Sequence, residues 1–237
     1  MCLFTPIYSL NTRYIAQRQK HSTVQNVLMN KPKTLNQNKY NELLNNDKIK
    51  VVVSVGSAGT GKTMFACQNA ISKLTDGLYD KILITRPVVS VDEDIGFLPG
   101  NLNKKMAPWI RPIMDIFSEC NYAKNSNSVE ISPLGFMRGR TFKQFYIIAD
   151  EMQNSTPSQM IMLLTRIGEN SKMVITGDLK QSDNKVNGLK DFIEKINAYY
   201  ENDEEKMNQD GIGIVYFNDE DIQRSQIVSN ILSIYSN

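Results

Sequence analysis

The sequence predicts an α/β protein in which a parallel sheet carries helices on both of its faces. Two observations lead to this fold class. From Lys50 onward, short apolar runs alternate with longer segments of helical character, as in chains whose parallel strands are joined by crossover helices. The first of these runs, Val51–Val55, is almost entirely β-branched, which is typical of a strand buried on both faces.

Taken in order, the pattern predicts five strands, at residues 51–55, 81–85, 144–150, 172–176 and 211–217. Helices are expected at 62–74, 101–119, 157–167, 188–200 and 222–235. Pro108 and Pro112 should break or kink the second helix, whereas Pro157 suits the first position of the third. Residues 201–210 are expected to form an acidic loop. Residues 1–30 show no clear period, so we predict a poorly defined extension there and one main domain over 31–237.

Composition excludes several classes of protein. The chain has 237 residues, 41% of them hydrophobic, which argues against general disorder. Mean hydropathy is −0.35 and no apolar run approaches the roughly 18 residues of a membrane span, so we expect no membrane association. Without a recognisable signal peptide, a cytoplasmic location is expected. Three dispersed cysteines and a single histidine, His21, favour neither a zinc site nor a disulfide scaffold.

Charge is distributed unevenly along the chain although its net value is only +2. Residues 1–50 contain eight Lys and Arg against two Asp and Glu, whereas residues 151–237 contain eight against fourteen. A basic N-terminal segment can contact phosphates, but it can equally be a solvated arm. Both interpretations stay open on the sequence alone.

A phosphate-binding loop follows the first strand. Residues 56–63 match the G-x-x-x-x-G-K-[ST] pattern in full, with a strand before it and a helix after it. Glycines let the backbone N–H groups form a concave cradle for phosphate oxygens, and the helix N-terminus adds positive potential. Lys62 is expected on the β- and γ-phosphates and Thr63 on Mg²⁺. The nucleotide-binding residues predicted here are Gly56, Ser57, Ala58, Gly59, Thr60, Gly61, Lys62 and Thr63.

Two adjacent carboxylates end the third predicted strand. Asp150 and Glu151 follow an apolar run, at the strand edge where open α/β sheets bind ligands. We expect Asp150 to hold Mg²⁺ beside Thr63, and Glu151 to act as the general base that activates water. The pair favours hydrolysis over phosphoryl transfer to a small acceptor.

A polar turn follows the fourth predicted strand, over residues 176–181. Gln181 in this turn can hydrogen-bond a γ-phosphate and change position when that phosphate leaves, which would couple hydrolysis to shape.

Together, these stretches resemble the PhoH-like family of P-loop ATPases, which is similar to the single-domain core of superfamily 1 helicases. The specific sequences are GFLPG at 96–100 and RGRTF at 138–142, followed by DEMQNSTP at 150–157 and TGDLKQ at 176–181. The resemblance covers residues 31–235. It implies a RecA-like P-loop NTPase fold, ATP and Mg²⁺ as cofactors, an adenine-reading role for Gln37 and a charge-stabilising role for Arg224.

Four other arginines are candidates for contact with nucleic acid: Arg86, Arg111, Arg138 and Arg140. Arg138 and Arg140 can instead contact the nucleotide of a neighbouring subunit, and Arg140 and Arg224 are the candidates for an arginine supplied in this way. Each of the four can equally form an ion pair at the surface. The best interpretation is a Mg²⁺-dependent ATPase coupled to RNA or single-stranded DNA, active as a homo-oligomer, with a ring as its closed form. Two alternatives stay open, a nucleotide-switched adaptor with slow hydrolysis and a small-molecule kinase.

Overall fold

The computed structural model describes residues 29–87, 102–120, 122, 127–181 and 187–223, together with residues 227 and 234; for residues 102–109 it describes the backbone only. The strands are β1 (Val51–Val55), β2 (Lys81–Thr85), β3 (Val129–Ile131), β4 (Phe145–Ala149), β5 (Lys172–Gly177) and β6 (Ile212–Tyr216). The helices are α1 (Leu35–Asn45), α2 (Lys62–Thr75), α3 (Leu102–Glu119), α4 (Pro157–Leu164), α5 (Gly188–Tyr199) and α6 (Glu204–Gln209).

All six strands are parallel and form one sheet in the order β3-β2-β4-β5-β1-β6. The phosphate-binding strand β1 lies between β5 and β6, and β5 also pairs with β4. The loops after β1, β4 and β5 therefore emerge side by side at one edge of the sheet, which is the edge where the predicted site residues lie.

Alternate strand residues build two separate cores, one on each face. Val52, Ile148 and Val174 point into a cluster completed by α1, α2 and α3. Val53 and Ile175 point into a second cluster with α4, α5 and α6. The predicted α/β sheet with helices on both faces is confirmed.

Three elements of the structure are absent from the sequence-based prediction. The predicted acidic loop at 201–210 contains the short helix α6, which Asp203 caps through the N–H groups of Glu205 and Lys206. Strand β3 and helix α1 were not predicted. Both are short and mixed in composition, so their own periodicity is weak, and pairing with β2 and packing against β6 define them instead.

The prolines were expected to break or kink this helix; α3 is continuous through Pro108 and Pro112, so a break is wrong and a kink stays a prediction. Its buried face, Ile110, Ile113 and Phe117, packs in the first core. This apolar packing outweighs the hydrogen bonds that the prolines remove.

The predicted closing helix does not begin at Ile222, because Ile222 is extended and Gln223 is not helical. Of the rest of that segment, only residues 227 and 234 are described, and both are helical. Within the described part of the chain, no helix has the length and apolar character needed to cross a bilayer.

Candidate nucleotide-binding site

The loop between β1 and α2 has the backbone of a phosphate cradle. Gly61 adopts φ 91° immediately before the first helical residue, a left-handed conformation that favours glycine. Gly56 adopts φ 154°, and a Cβ there would lie 2.8 Å from the carbonyl oxygen of Phe217. Both glycines are therefore required by the loop, which turns tightly around the start of α2.

Lys62 reaches back across this loop. Its Nζ donates to the carbonyl oxygens of Gly56 at 2.7 Å and of Ser57 at 2.8 Å. Burial lowers the pKa of Lys62, while the nearby carboxylates, Asp178 first among them, act in the opposite direction. Phosphate oxygens would offer this ammonium a charged partner in place of two neutral carbonyls.

Asp150 lies at the centre of the hydrogen bonds between strand ends. Its Oδ1 accepts from Thr63 Oγ1 at 2.8 Å and from Thr176 Oγ1 at 2.5 Å, and only 4% of the residue is exposed. The structure thus joins the phosphate loop to β4 and β5 through a single carboxylate oxygen. A threonine hydroxyl beside a carboxylate is an all-oxygen donor set of the kind that Mg²⁺ prefers, so the residues present fit this cation.

Glu151 is held in a strained backbone conformation, with φ 56° and ψ 38°, where an L side chain costs on the order of 1–2 kcal/mol. Its Oε1 lies 3.1 Å from Nη2 of Arg86, and its Oε2 accepts from Nε2 of Gln153 at 2.5 Å. The same Arg86 nitrogen lies 3.4 Å from Asp150 Oδ2. Of the two interpretations for Arg86, the structure places it in an ion pair, but with the site carboxylates rather than at the surface.

The turn after β5 brings Asp178 and Gln181 to the same place. Asp178 is 6% exposed, and its Oδ1 accepts from the N–H of Lys180 at 2.9 Å. Its Oδ2 is buried and has no hydrogen-bond partner among the described residues. Gln181 is exposed, and its N–H donates to the carbonyl oxygen of Asp178. The cleft thus has a buried carboxylate and an exposed amide side chain on the Lys62 side of this turn.

Gln37 lies beyond the phosphate loop from Asp150, and its side-chain amide bridges three segments. Its Oε1 accepts from the N–H of Lys33 at 2.8 Å, and its Nε2 donates to the carbonyl oxygens of Thr60 at 3.2 Å and of Asp221 at 3.3 Å. Gln37 is 2% exposed. It therefore joins the N-terminal segment, the phosphate loop and the segment after β6.

The carboxylate of Asp221 closes this junction, which we call the clasp (Thr34, Asn36, Gln37 and Asp221). Its Oδ1 accepts from Thr34 Oγ1 and its Oδ2 from Asn36 Nδ2 at 2.8 Å. Burial alone would raise the pKa of Asp221, but these hydrogen bonds outweigh it and hold the pKa below 3.8. The sequence analysis missed Thr34, Asn36 and Asp221, because Asn36 and Asp221 are 185 residues apart in the chain.

One cleft of about 490 Å³ runs from Gln37 of the clasp, past the phosphate loop, to Asp150 and Glu151. Its lining also includes Lys31, Lys33, Gln181 and Gln223. The N–H of Gln223 donates to the carbonyl oxygen of Gly59. Gln37, Asp150, Glu151 and Gln181 therefore surround the same space as Ala58, Gly59, Gly61, Lys62 and Thr63 of the predicted loop, whereas Gly56, Ser57 and Thr60 do not line it.

Arg111, Arg138 and Arg140 are not among the residues that line this cleft. Arg111 and Arg138 are exposed. Arg140 lies over the ring of Phe142, 4.5 Å from its centroid, and pairs with Glu130 of β3 at 2.5 Å. Arg224 and the GFLPG sequence at 96–100 lie outside the described residues.

The family model described as "PhoH-like protein" matches residues 29–236. A PhoH-like protein of Bacillus subtilis is 38% identical over 209 residues, covering 86% of this chain and 63% of that protein. Protein PhoH of Escherichia coli is 38% identical over 197 residues, covering 78% of this chain and 53% of its own length. The chain thus spans about half to two thirds of these two relatives.

Among solved structures, the large terminase of a thermophilic bacteriophage is similar with a TM-score of 0.50 at 11% identity, covering 82% of this chain and 48% of that one. At this identity the likeness concerns the fold alone. Together with the sheet order and the loop after β1, it confirms the expected RecA-like P-loop architecture.

Proposed function

The chain belongs to the PhoH-like family, and we propose that it binds ATP with Mg²⁺ in this cleft and hydrolyses it. The observation that carries the proposal is the contact of Thr63 with Asp150, with Lys62 and Glu151 around the same space. Lys62 and Thr63 follow β1, whereas Asp150 and Glu151 follow β4, so the end of a single strand could not bring these four groups together. Their convergence is the arrangement that phosphoryl transfer needs, since positioning and charge do most of the catalysis.

Each residue has a defined task in the proposed reaction. Lys62 exchanges the carbonyls of Gly56 and Ser57 for β- and γ-phosphate oxygens. Thr63 and Asp150 hold Mg²⁺, which when bound neutralises charge on the phosphates. Glu151 accepts a proton from a water molecule while the water oxygen attacks the γ-phosphorus. The bond between the γ-phosphorus and the leaving ADP oxygen breaks in the same step.

A direct test is phosphate release from ATP, measured with Mg²⁺ and with excess chelator. Release that requires the cation, at a stoichiometry of one phosphate per ADP, is expected. ADP formed without free phosphate, and only with an added acceptor, would favour the kinase alternative. Tight ATP binding with negligible release would favour the adaptor alternative.

Coupling to RNA or single-stranded DNA is the second part of the proposal. Exposed Arg111 and Arg138, with the basic residues of 1–50, supply cations for phosphate contacts. We expect ATP turnover to rise when RNA or single-stranded DNA is added, and affinity for the strand to fall steeply with salt. Turnover that is indifferent to both polymers, or binding without a salt slope, would contradict this part alone.

We further propose that the active form is a homo-oligomer, with a ring as its closed form. In the described part of the chain there is one sheet of six strands, and a single core leaves the γ-phosphate open on one side. A neighbouring subunit can supply the arginine that stabilises transition-state charge, which is worth about 10³–10⁵ in rate in other P-loop enzymes. Because Arg140 is already paired with Glu130, Arg224 is the stronger candidate.

Sedimentation with Mg²⁺ and a non-hydrolysable ATP analogue tests this assembly. An oligomer is expected, and mixing Arg224→Ala chains with Lys62→Ala chains should partly restore activity. A fully active species that stays at 26.9 kDa across concentrations would contradict it.

A further inference from the structure

Gln153 connects the segment after β4, which carries Glu151, to the turn after β5, which carries Asp178. It lies in the short 3₁₀ turn Met152–Asn154 after β4 and is 1% exposed. Its Nε2 donates to Glu151 Oε2 at 2.5 Å, and its Oε1 accepts from the N–H of Asp178 at 3.1 Å. A single amide group thus links the carboxylate after β4 to the backbone of the turn after β5.

The local backbone is built around this link. A Cβ on Gly177 would lie 2.8 Å from Gln153 Oε1, so the last residue of β5 leaves the space that the amide occupies. Glu151 adopts a left-handed conformation, which persists only where the surroundings over-determine it. Gln153 and Arg86 are the groups that hold its two carboxylate oxygens.

The turn after β5 is held together by two hydrogen bonds to Asp178. The N–H groups of Lys180 and Gln181 both bond to Asp178, one to its side chain and one to its carbonyl oxygen. A movement of Gln181 toward a γ-phosphate therefore moves the Asp178 amide, and that amide is the donor to Gln153.

From this chain of contacts we infer that Gln153 is a positioning residue that sets the place of the Glu151 carboxylate according to the position of the turn bearing Gln181. The inference rests on the proposed hydrolysis. It deepens that proposal, since water would be activated only when the turn has responded to the γ-phosphate. Gln153 itself touches neither nucleotide nor water in this scheme.

Two substitutions separate the two bonds. Gln153→Glu keeps an oxygen that can accept from the Asp178 N–H. It replaces the Nε2 donor that faces Glu151 with a second oxygen, so the bond to Glu151 is lost. Gln153→Met removes both bonds at similar side-chain length. Gln159→Glu is the matched control, because Gln159 uses its Oε1 as an acceptor in the capping box of α4, and Glu is equally suited to that position.

We expect kcat to fall by about 10-fold to 100-fold in both Gln153 variants. This loss is smaller than, or at most equal to the low end of, the roughly 10²–10⁴-fold loss expected when a general base is removed. The KM for ATP and the affinity for a fluorescent ATP analogue should stay within about twofold of wild type. Amide exchange at Asp178 should accelerate in Gln153→Met and stay near wild type in Gln153→Glu. The Gln159→Glu control should change none of these quantities.

A double-mutant cycle tests the coupling itself. Gln153→Met combined with Gln181→Ala should lose less in log kcat than the two single variants together, since each breaks the same connection. Additive losses, or Gln153 variants with wild-type kcat, would overturn the inference while leaving wild-type hydrolysis intact. If Gln153→Glu does not fold, Gln153→Met and the double-mutant cycle still test whether Gln153 couples the turn to Glu151. Absence of wild-type hydrolysis would instead overturn the proposed function, and this inference with it; the exchange rate at Asp178 would then report only a structural bond.

Discussion

The two ends of the nucleotide cleft are built in different ways. At the phosphate end, every group lies at the end of a strand or in the segment that directly follows one, and Asp150 joins Thr63 and Thr176 across neighbouring strands of one sheet. At the other end, which we propose holds the adenine base and which we call the base end, the clasp joins Asn36 to Asp221 across 185 residues of sequence, outside any sheet. Sheet geometry positions the first end, whereas the second depends on a few hydrogen bonds between distant segments.

This difference predicts different consequences of mutation. Substitutions at the phosphate end should remove chemistry and leave the fold, because the β-sheet holds the backbone. Substitutions at the base end should weaken nucleotide binding and stability together, because the same bonds serve both.

The largest effect is expected for Lys62→Ala. Removing the ammonium leaves the phosphates without their main cation, so nucleotide binding or hydrolysis should be lost while the melting temperature stays close to wild type. Isothermal titration with ATP and a thermal melt measure the two quantities. A folded Lys62→Ala protein with unchanged turnover would show that the loop does not bind the transferred phosphate.

Glu151→Gln should separate binding from chemistry at the same end. The amide keeps the size of the side chain but cannot take a proton from water, so turnover should fall by about 10²-fold or more while ATP is still bound. Single-turnover phosphate release and analogue binding measure the two effects. Wild-type turnover in this variant would place the general base elsewhere.

The phosphate end was largely predictable from sequence, and the reason is local. The loop at 56–63 and the acids at 150–151 are continuous motifs whose geometry follows from the strand before them. The placement of Gln181 followed in the same way from β5. By contrast, Gln37 was expected only through family resemblance, and the other residues of the clasp, Thr34, Asn36 and Asp221, gave no periodic or spaced signal.

Gln153 and Arg86 show a second reason why contacts in this site could not be predicted from the sequence. Gln153 stands two residues from Glu151, yet its link to Asp178 depends on β4 and β5 being neighbours, and strand order cannot be read from periodicity. Arg86 was expected at the surface or on a polyanion, and the pairing of β2 with β4 turns it to the carboxylates instead.

At the base end, Asp221→Asn should raise the KM for ATP by about tenfold and leave kcat nearly unchanged. The amide nitrogen would face the donors of Asn36 and of the Asn218 backbone, which loosens Gln37 without touching the catalytic groups. Lost hydrogen bonds to a buried charged group should also cost about 1.5–3 kcal/mol in the free energy of unfolding.

The pH dependence of that cost has a definite sign. The pKa of Asp221 is lowered in the folded state, so its contribution to stability is complete above the unfolded value of 3.8 and is lost as pH falls through the folded value. The difference between wild type and Asp221→Asn should therefore shrink under acid conditions. Asp219→Asn, exposed two residues earlier, is the control and should behave as wild type. An effect on kcat that exceeds the effect on KM would contradict the separation of the two ends.

The smallest effect on activity is expected from Lys172→Met, which acts on the clasp from a distance. The Lys172 residue is 2% exposed, and its ammonium donates to the carbonyl oxygens of Leu43, Leu44 and Asn46, at the end of the helix that carries Gln37. The variant leaves these carbonyls without that donor, so the free energy of unfolding should fall by about 1–3 kcal/mol, with at most a few-fold rise in the KM for ATP.

The contribution of Lys172 to the free energy of unfolding changes with pH in the direction opposite to that expected of an exposed lysine paired with a carboxylate. Burial lowers the pKa of Lys172 from 10.5 to about 7, so between these values the unfolded chain binds more protons than the folded one, and stability of the wild type rises with pH. Chemical denaturation of wild type and Lys172→Met between about pH 6 and about pH 9 should therefore diverge, the wild type gaining relative to the variant above the folded-state pKa. Lys190→Met, at an exposed position of α5, corrects for the loss of one positive charge. Parallel pH profiles for wild type and Lys172→Met would mean that the three carbonyls hold the ammonium charged throughout, and that the helix end carrying the clasp is insensitive to pH.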